Sequence, residues 1–180
     1  MIMVPPDLGV EDPNAFPWYF SIHSVEVADD LVRAEEAFRH IRALGGYGVR
    51  TDIFWWDVQP DNGRWDEDRF QFYLDYIARA RQAGIEPMII LSGAPDWAVE
   101  LYRNDRDRFW DALEAYTDRV VRAINPTVRH YQLWNEPNHI IDPIDGADDP
   151  ELLRRIGRII RRLDPNATLY VNAMANVPGW

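Results

Sequence analysis

The sequence predicts an α/β fold in which parallel strands alternate with helices. Five short apolar runs alternate with four amphipathic patterns of helical period, which gives the element order βαβαβαβαβ. Successive strands begin about 30 to 40 residues apart, the length of a βα unit. The continuous apolar run from Met88 to Leu91 is typical of a strand buried on both faces of a parallel sheet. Strict alternation of this kind indicates a parallel sheet covered by helices.

The individual elements follow from local signals. The helical patterns place apolar residues three and four positions apart, and breaking or capping residues mark their ends. Asp29 or Asp30 precedes the first helix, Asp66 precedes the second, and Pro150 opens the fourth. Residues 92–98 are predicted to form a loop before the third helix. The predicted strands cover residues 18–24, 47–54, 85–91, 128–134 and 167–173.

Two architectures share this element order: a doubly wound open sheet and an incomplete (β/α)8 barrel, or TIM barrel. An open sheet of the dinucleotide-binding type usually has a glycine-rich turn after its first strand. Here the first strand is followed by residues 23–30, HSVEVADD, which contain no glycine. This favours the barrel. In both architectures the functional residues gather at the carboxyl ends of the strands.

The composition argues against several classes of function. The formal net charge is −11, and all 19 basic residues are arginine, so the acidic surface disfavours binding to nucleic acid or to anionic lipid. The arginines between positions 154 and 162 fit the solvated face of a helix. The sequence contains no cysteine, which excludes disulfides and thiolate metal sites.

The sequence also contains no apolar run of 18 residues, so we predict no membrane span. Residues 1–13 have neither the basic nor the apolar segment of a signal peptide. We therefore expect a cytoplasmic protein, or a secreted one whose leader is absent from this chain.

Glu136 is the strongest candidate for a catalytic residue. It follows a predicted strand that ends in Trp134, whose ring can exclude water, and it precedes Pro137, which restricts the backbone. The neighbouring Asn135 can donate a hydrogen bond to a substrate hydroxyl or orient the carboxylate. Because neighbours in a regular strand point to opposite faces, both side chains reach one pocket only if the strand bulges or ends abruptly. The alternative is that the tripeptide NEP is merely a polar turn.

Arg50 lies in the middle of the second predicted strand. An arginine inside a parallel sheet is costly unless it is paired. Alternation puts Arg50 and Asp52 on the same side of the strand, so a structural pair between them is one explanation. The other is that Arg50 projects into the barrel and hydrogen-bonds a catalytic carboxylate.

Several aromatic residues are further candidates for substrate binding. His23 follows the first strand and either binds a substrate hydroxyl or belongs to the core. Trp55, Trp56 and Trp97 follow the second and third strands, and an aromatic face can stack on a sugar ring. Core packing is the alternative, and we expect one of the three to face the cleft.

The remaining motifs point away from metal and cofactor chemistry. The histidines show no HExxH or other metal-ligand spacing, and the sequence has no phosphate-binding loop and no GxSxG nucleophile motif. We therefore expect neither a metal nor a cofactor.

Three segments carry a resemblance to a known group of enzymes. They are residues 46–66 (GYGVRTDIFWWDVQPDNGRWD), residues 84–98 (GIEPMIILSGAPDWA) and residues 131–138 (YQLWNEPN). Through them the sequence resembles the clan A glycoside hydrolases and looks closest to members of the family 39 or family 5 type. The resemblance runs through nearly the whole chain, and WNEP is its most specific motif.

The resemblance implies a (β/α)8 barrel that hydrolyses O-glycosyl bonds of polysaccharides or oligosaccharides with retention of anomeric configuration. It implies that Glu136 is the acid/base, that Asn135 contacts the sugar 2-hydroxyl and that Arg50 supports the nucleophile. In a retaining enzyme a second carboxyl group lies about 5–5.5 Å away and forms a covalent glycosyl-enzyme.

The sequence departs from this pattern at the nucleophile, which in the clan is a glutamate at the end of strand seven. Only five strands are predicted, and a (β/α)8 barrel typically needs about 250 residues. We therefore expect residues 1–180 to be the N-terminal portion of a single barrel domain, with about five of eight strands, unable to hydrolyse glycosides alone. Unpaired edges on the first and fifth strands predict that the isolated chain forms a homodimer, aggregates or is only marginally stable. The alternative function is a non-catalytic carbohydrate-binding remnant.

Overall fold

The computed structural model describes residues 19–21, 30–136 and 149–171. Within these ranges five parallel strands form one sheet, in the order β1-β2-β3-β4-β5. The strands are β1 (Tyr19–Ser21), β2 (Gly48–Phe54), β3 (Glu86–Ser92), β4 (His130–Gln132) and β5 (Thr168–Tyr170). The helices are α1 (Leu31–Ala43), α2 (Trp55–Val58), α3 (Glu67–Gln82), α4 (Asp96–Asn104), α5 (Arg106–Ile124) and α6 (Asp149–Leu163).

The strand order distinguishes between the two predicted architectures. Each strand pairs with the next one along the chain, so the order never reverses, whereas a doubly wound sheet reverses at its switch point. Right-handed crossovers that always advance in the same direction place their helices on one side of the sheet. This is the arrangement of a β/α barrel, and it confirms the predicted fold class of an incomplete barrel with five strands.

The two faces of the sheet differ in chemistry. Alternate residues of β2, β3 and β4 are buried in the core cluster that the helices cover, among them Val49, Ile53, Ile89, Leu91 and Tyr131. The residues between them point to the opposite face, which becomes the interior of a closed barrel. That face carries the polar groups of the sheet, including Arg50, Asp52 and Gln132.

The helix starts follow the predicted capping chemistry. The Asp30 side chain accepts a hydrogen bond from the backbone N–H of Val32 at 2.8 Å, and the Asp66 side chain accepts one from the N–H of Arg69 at 2.8 Å. Each carboxylate satisfies a donor that the first turn of a helix leaves unpaired.

The structure contains a helix that was not predicted. The nine-residue helix α4 begins inside the predicted loop at residues 92–98 and continues through residues 99–104, which were assigned to no element. Its buried residue Tyr102 packs edge to face on Phe109 of α5, with ring centroids 5.0 Å apart. A helix this short depends on such tertiary contacts, since isolated helices below about 12 residues are marginal in water. Its pattern in the sequence is therefore too brief to identify.

Strand lengths also differ from prediction. The strand predicted at 128–134 is limited to His130–Gln132, so the chain leaves the sheet before Trp134. The strand predicted at 18–24 is seen at Tyr19–Ser21, and residues 22–24 lie outside the described ranges.

The arginine-rich segment lies on α6. Arg155 contacts Glu114 of α5 at 2.6 Å, and Arg162 contacts Asp118 of α5 at 2.7 Å. Exposed pairs of this kind stabilise a protein by at most about 1 kcal/mol each. None of the helices in the described parts of the chain is long and apolar enough to cross a membrane.

We expect His130 to make the stability depend on pH. Its Nδ1 lies 3.1 Å from the Tyr170 hydroxyl, and burial lowers the pKa of His130, with a smaller contribution from the charge of Arg81. In acid the unfolded chain therefore binds a proton at His130 more readily than the folded chain does. The free energy of unfolding should consequently fall as pH drops below about 6.5. Urea denaturation between about pH 7.5 and pH 5.5 measures this slope.

The His130→Gln variant should show a smaller decrease over that range. His40→Gln is the control, because His40 is exposed on α1 and should leave the slope unchanged. An identical slope in His130→Gln and in the wild-type chain would contradict the assignment.

Candidate active site

The carboxyl ends of β2, β3 and β4 meet at one edge of the sheet. Phe54, the last residue of β2, is in register with Ser92, the last residue of β3. Asp52 and Gln132 are both in register with Ile90 of β3, so β4 ends beside the other two strands. Parallel strands thereby bring the segments that follow them to the same edge, where barrel enzymes place their functional groups.

Arg50 bridges β2 and the segment after β4. Its Nε donates to Oε1 of Gln132 at 2.8 Å, and its Nη2 donates to Oδ1 of Asn135 at 2.8 Å. The guanidinium therefore crosses in front of β3 on the face opposite the helices. Both contacts are charge-assisted hydrogen bonds to amide oxygens, which reduces the cost of placing an arginine in the sheet.

Gln132 was not among the residues predicted for the site. It is only 5% exposed, and its Nε2 donates to the backbone oxygen of Trp134 at 2.7 Å and to Oδ1 of Asn135 at 3.3 Å. The sequence offers one signal for this residue: Gln132 is an uncharged polar residue inside the otherwise apolar run YQLW. In the sheet it lies on the same face as Arg50.

Glu136 follows the point at which the chain leaves the sheet. Its backbone has φ of 43°, in the left-handed region that residues other than glycine seldom adopt. Strained backbone of this kind is frequent at functional sites. Since β4 has already ended at Gln132, strand alternation no longer separates Asn135 and Glu136, and both are half-buried. Trp134, immediately before them, is completely buried.

The structure places Trp55 in the core rather than at a sugar-binding surface. Its side chain is 0% exposed, and its ring stacks on Tyr116 at 5.1 Å and meets Trp97 edge to face at 5.4 Å. No face of the ring remains for a sugar, which disagrees with the expected role of Trp55 in substrate binding. Trp97 is half-buried, and its Nε1 donates to the backbone oxygen of Gln59 at 3.1 Å.

Trp56 is the exposed member of the three tryptophans. It is 46% exposed, and its ring stacks on Phe54 with centroids 5.0 Å apart and an interplanar angle of 20°. Its backbone N–H donates to the oxygen of Gly93 at 2.8 Å. Gly93 has φ of +77°, and a Cβ there would lie 2.8 Å from the Trp56 ring, so only glycine allows this approach.

The remaining candidates divide between positions inside and outside the described ranges. His23, predicted to bind a substrate hydroxyl, lies outside them. Ser92 is buried and donates to Oδ1 of Asp52 at 2.7 Å. In the part of the chain that the structure describes, no three histidine or acidic residues are grouped so that they could hold a metal ion.

Comparison with solved structures finds the same fold among glycoside hydrolases. A family 39 glycoside hydrolase from the gut symbiont Bacteroides cellulosilyticus WH2 matches 86% of this chain with 31% of its own, at a TM-score of 0.62 and 22% identity. A GH5_18 protein from Streptomyces cattleya, in complex with GlcNAc, matches 88% with 44% of its own, at a TM-score of 0.69 and 17% identity.

A family 1 β-glucosidase from Thermotoga maritima matches 88% of this chain with 48% of its own, at a TM-score of 0.71 and 18% identity. The chain thus spans about a third to a half of the length of these structures. No protein-family model and no curated protein matches the sequence. Families 39, 5 and 1 all belong to clan A. The likeness over most of the chain shows that it has part of the (β/α)8-barrel fold that these structures share.

Proposed function

We propose that this chain carries the acid/base part of a retaining glycoside hydrolase active site, with Glu136 as the acid/base. The observation that supports this most directly is the attachment of Asn135, its neighbour, to Arg50 of β2 and Gln132 of β4. If the segment after β4 were only a polar turn without function, it would not need hydrogen bonds from a half-buried arginine on β2. The fold shared with glycoside hydrolases supports the same conclusion.

In the proposed reaction the Glu136 carboxyl group donates its proton to the glycosidic oxygen while the bond from that oxygen to the anomeric carbon breaks. A second carboxylate attacks the anomeric carbon and forms a glycosyl-enzyme. Glu136, now ionised, then removes a proton from the water that hydrolyses this intermediate. The substrate is a polysaccharide or an oligosaccharide.

The second carboxylate has to lie about 5–5.5 Å from that of Glu136. In the clan it stands at the end of strand seven, and the described residues of this chain contribute five strands to the sheet. We therefore propose that the nucleophile is supplied by later barrel strands that the 180 residues do not contain, and that the chain by itself does not hydrolyse glycosides. Among the described residues β1 and β5 are the outer strands of the sheet, and we propose that those later strands, or a second copy of the chain, pair there.

The other residues at this edge serve to hold the sugar. We propose that Asn135 donates to a sugar hydroxyl and that Arg50 keeps the asparagine in place while its charge supports the nucleophile. Trp56 offers one exposed ring face backed by Phe54, which suits the apolar face of a pyranose. Trp97 is half-buried next to this segment and borders the sugar site in the proposal.

Reconstitution of the barrel tests the proposal. Residues 1–180 are co-expressed with the segment that forms strands six to eight of a family 39 barrel and carries its glutamate nucleophile. The purified complex is assayed on a panel of aryl β-glycosides, beside each half alone. We expect turnover from the complex only. A folded complex that binds sugar without turnover would favour carbohydrate binding without catalysis, the alternative to which the exposed ring of Trp56 also points.

Replacement of Trp56 by alanine should weaken sugar binding by roughly fivefold, since aromatic stacking contributes about 1 kcal/mol beyond burial of its area. Titration of the reconstituted barrel with cellobiose, followed by calorimetry, measures the effect. Leu44→Ala is the control, because Leu44 is likewise exposed but lies at the end of α1. Equal affinities in Trp56→Ala and the wild type would exclude Trp56 from the site.

A further inference from the structure

We propose that Gln132 is a positioning residue, which fixes the side-chain amide of Asn135 in a single orientation. The effect of Gln132 on catalysis rests on the function proposed above, whereas its effect on the geometry of Asn135 does not.

The orientation of the Gln132 amide follows from its partners. Arg50 can only donate hydrogen bonds, so the atom of Gln132 that lies 2.8 Å from Arg50 Nε has to be the oxygen. The backbone oxygen of Trp134 can only accept, so the atom 2.7 Å from it has to be the nitrogen. With the side chain only 5% exposed, water does not compete freely for either end.

The orientation of the Asn135 amide follows in turn. Two donors, Arg50 Nη2 at 2.8 Å and Gln132 Nε2 at 3.3 Å, point to the same atom of Asn135. That atom has to be Oδ1, and the Asn135 NH2 group is then directed away from both. The Asn135 NH2 group can therefore donate to an acceptor that lies on the side away from Arg50 and Gln132, next to Glu136.

A carboxylate at position 132 could not perform this task. It would accept from Arg50 as the amide does, but it has no hydrogen to donate to the oxygens of Trp134 and Asn135. The Trp134 oxygen and Asn135 Oδ1 would then each face a carboxylate at hydrogen-bond distance without a hydrogen between them. The Asn135 amide would therefore turn its NH2 group toward position 132. Gln132→Glu thus keeps size and shape but replaces the NH2 donors by a charged acceptor, while Gln132→Met removes donors and acceptor together without adding a charge.

Nuclear magnetic resonance on the 15N-labelled chain tests the geometric part. In the wild type, the Gln132 side-chain NH2 should exchange with water at least tenfold more slowly than that of Gln71, which is exposed. In Gln132→Met and Gln132→Glu the Asn135 side-chain NH2 resonances should move. Thr117→Val is the control, because Thr117 is a buried polar residue on α5 that donates to the Leu113 oxygen in its own helix.

Exchange of the Gln132 NH2 group at the rate of Gln71 would overturn the proposal without any variant. So would an unmoved Asn135 signal in whichever of the two position-132 variants folds.

The effect of Gln132 on catalysis is measured as kcat/KM of the reconstituted barrel. Gln132→Met should lower kcat/KM by roughly tenfold, and the double variant Gln132→Met, Asn135→Ala should be no slower than Asn135→Ala alone, because both changes remove one effect. Additive losses would show that Gln132 acts independently of Asn135 and would overturn the positioning role. If the wild-type complex has no activity, the function proposed above fails, and the resonance experiment still decides the role of Gln132.

Discussion

Glu136→Gln should lower the glycosidase activity of the reconstituted barrel by about 10²- to 10⁴-fold, the usual contribution of a general acid or base. Glutamine keeps the size of the side chain and its place after the end of β4, but it has no proton to transfer at neutral pH. Initial rates on an aryl β-glycoside measure the loss. Glu100→Gln is the matched control, because Glu100 is an exposed glutamate on α4 and its replacement should leave the rate unchanged.

The choice of leaving group separates the loss of a proton donor from general damage. A dinitrophenolate departs without being protonated, whereas an alkyl or unsubstituted phenyl leaving group needs a proton from the enzyme. The first step on a dinitrophenyl glycoside should therefore be little affected in Glu136→Gln, while an unactivated glycoside should be affected most. Equal losses on both substrates, or none, would contradict the assignment of Glu136 as the acid.

Arg50→Met should have the second-largest effect. Methionine fills much of the space but leaves the Gln132 and Asn135 oxygens without the hydrogen bonds that Arg50 donates. Asn135 is half-buried and its Oδ1 keeps the donor Gln132 Nε2, so only the Gln132 oxygen becomes a buried acceptor without a donor from Arg50. One such acceptor costs about 1–3 kcal/mol, so the free energy of unfolding should fall by about 1–3 kcal/mol. Activity of the reconstituted barrel should fall by about 100-fold as the Asn135 amide loses its anchor.

Urea denaturation of the chain measures the change in stability. Arg33→Met is the control, since the Arg33 side chain is 71% exposed and its 3.6 Å pair with Asp30 lies at the surface. Its effect should stay within about 0.5 kcal/mol. If Arg50→Met were as mild as Arg33→Met, the network between β2 and β4 would not stabilise the fold.

The sequence predicted the parts of this molecule that depend on periodicity and local chemistry. The five strands and their parallel pairing followed from apolar runs at βα spacing, and the starts of α1 and α3 followed from the capping aspartates. The edge of the sheet where Asn135 and Glu136 lie followed from the rule that strand ends carry function. Each of these features is set within a short stretch of chain or by a repeating pattern.

Features that depend on contacts between distant segments were not predictable in the same way. Trp55 and Trp56 are neighbours in sequence, yet one is buried against Tyr116 and the other is exposed on Phe54. Their roles depend on α5 packing behind β2, which no local pattern reveals. For Arg50, alternation indicated a partner on the same strand or a carboxylate. The hydrogen bond to Asn135, 85 residues later, depends on where β4 ends.

The strictly sequential strand order has a consequence for biosynthesis. Every strand of the sheet pairs with the one made immediately before it, so each pairing closes only one βα unit of chain and the average separation of contacting residues stays low. The sheet can therefore grow by one unit at a time as the chain leaves the ribosome, without waiting for a distant partner. In such a process the Arg50 guanidinium on β2 would lack its acceptors on Gln132 and Asn135 until β4 emerged. Once Gln132 and Asn135 emerged, their hydrogen bonds to Arg50 would link β2 to the end of β4 for the first time.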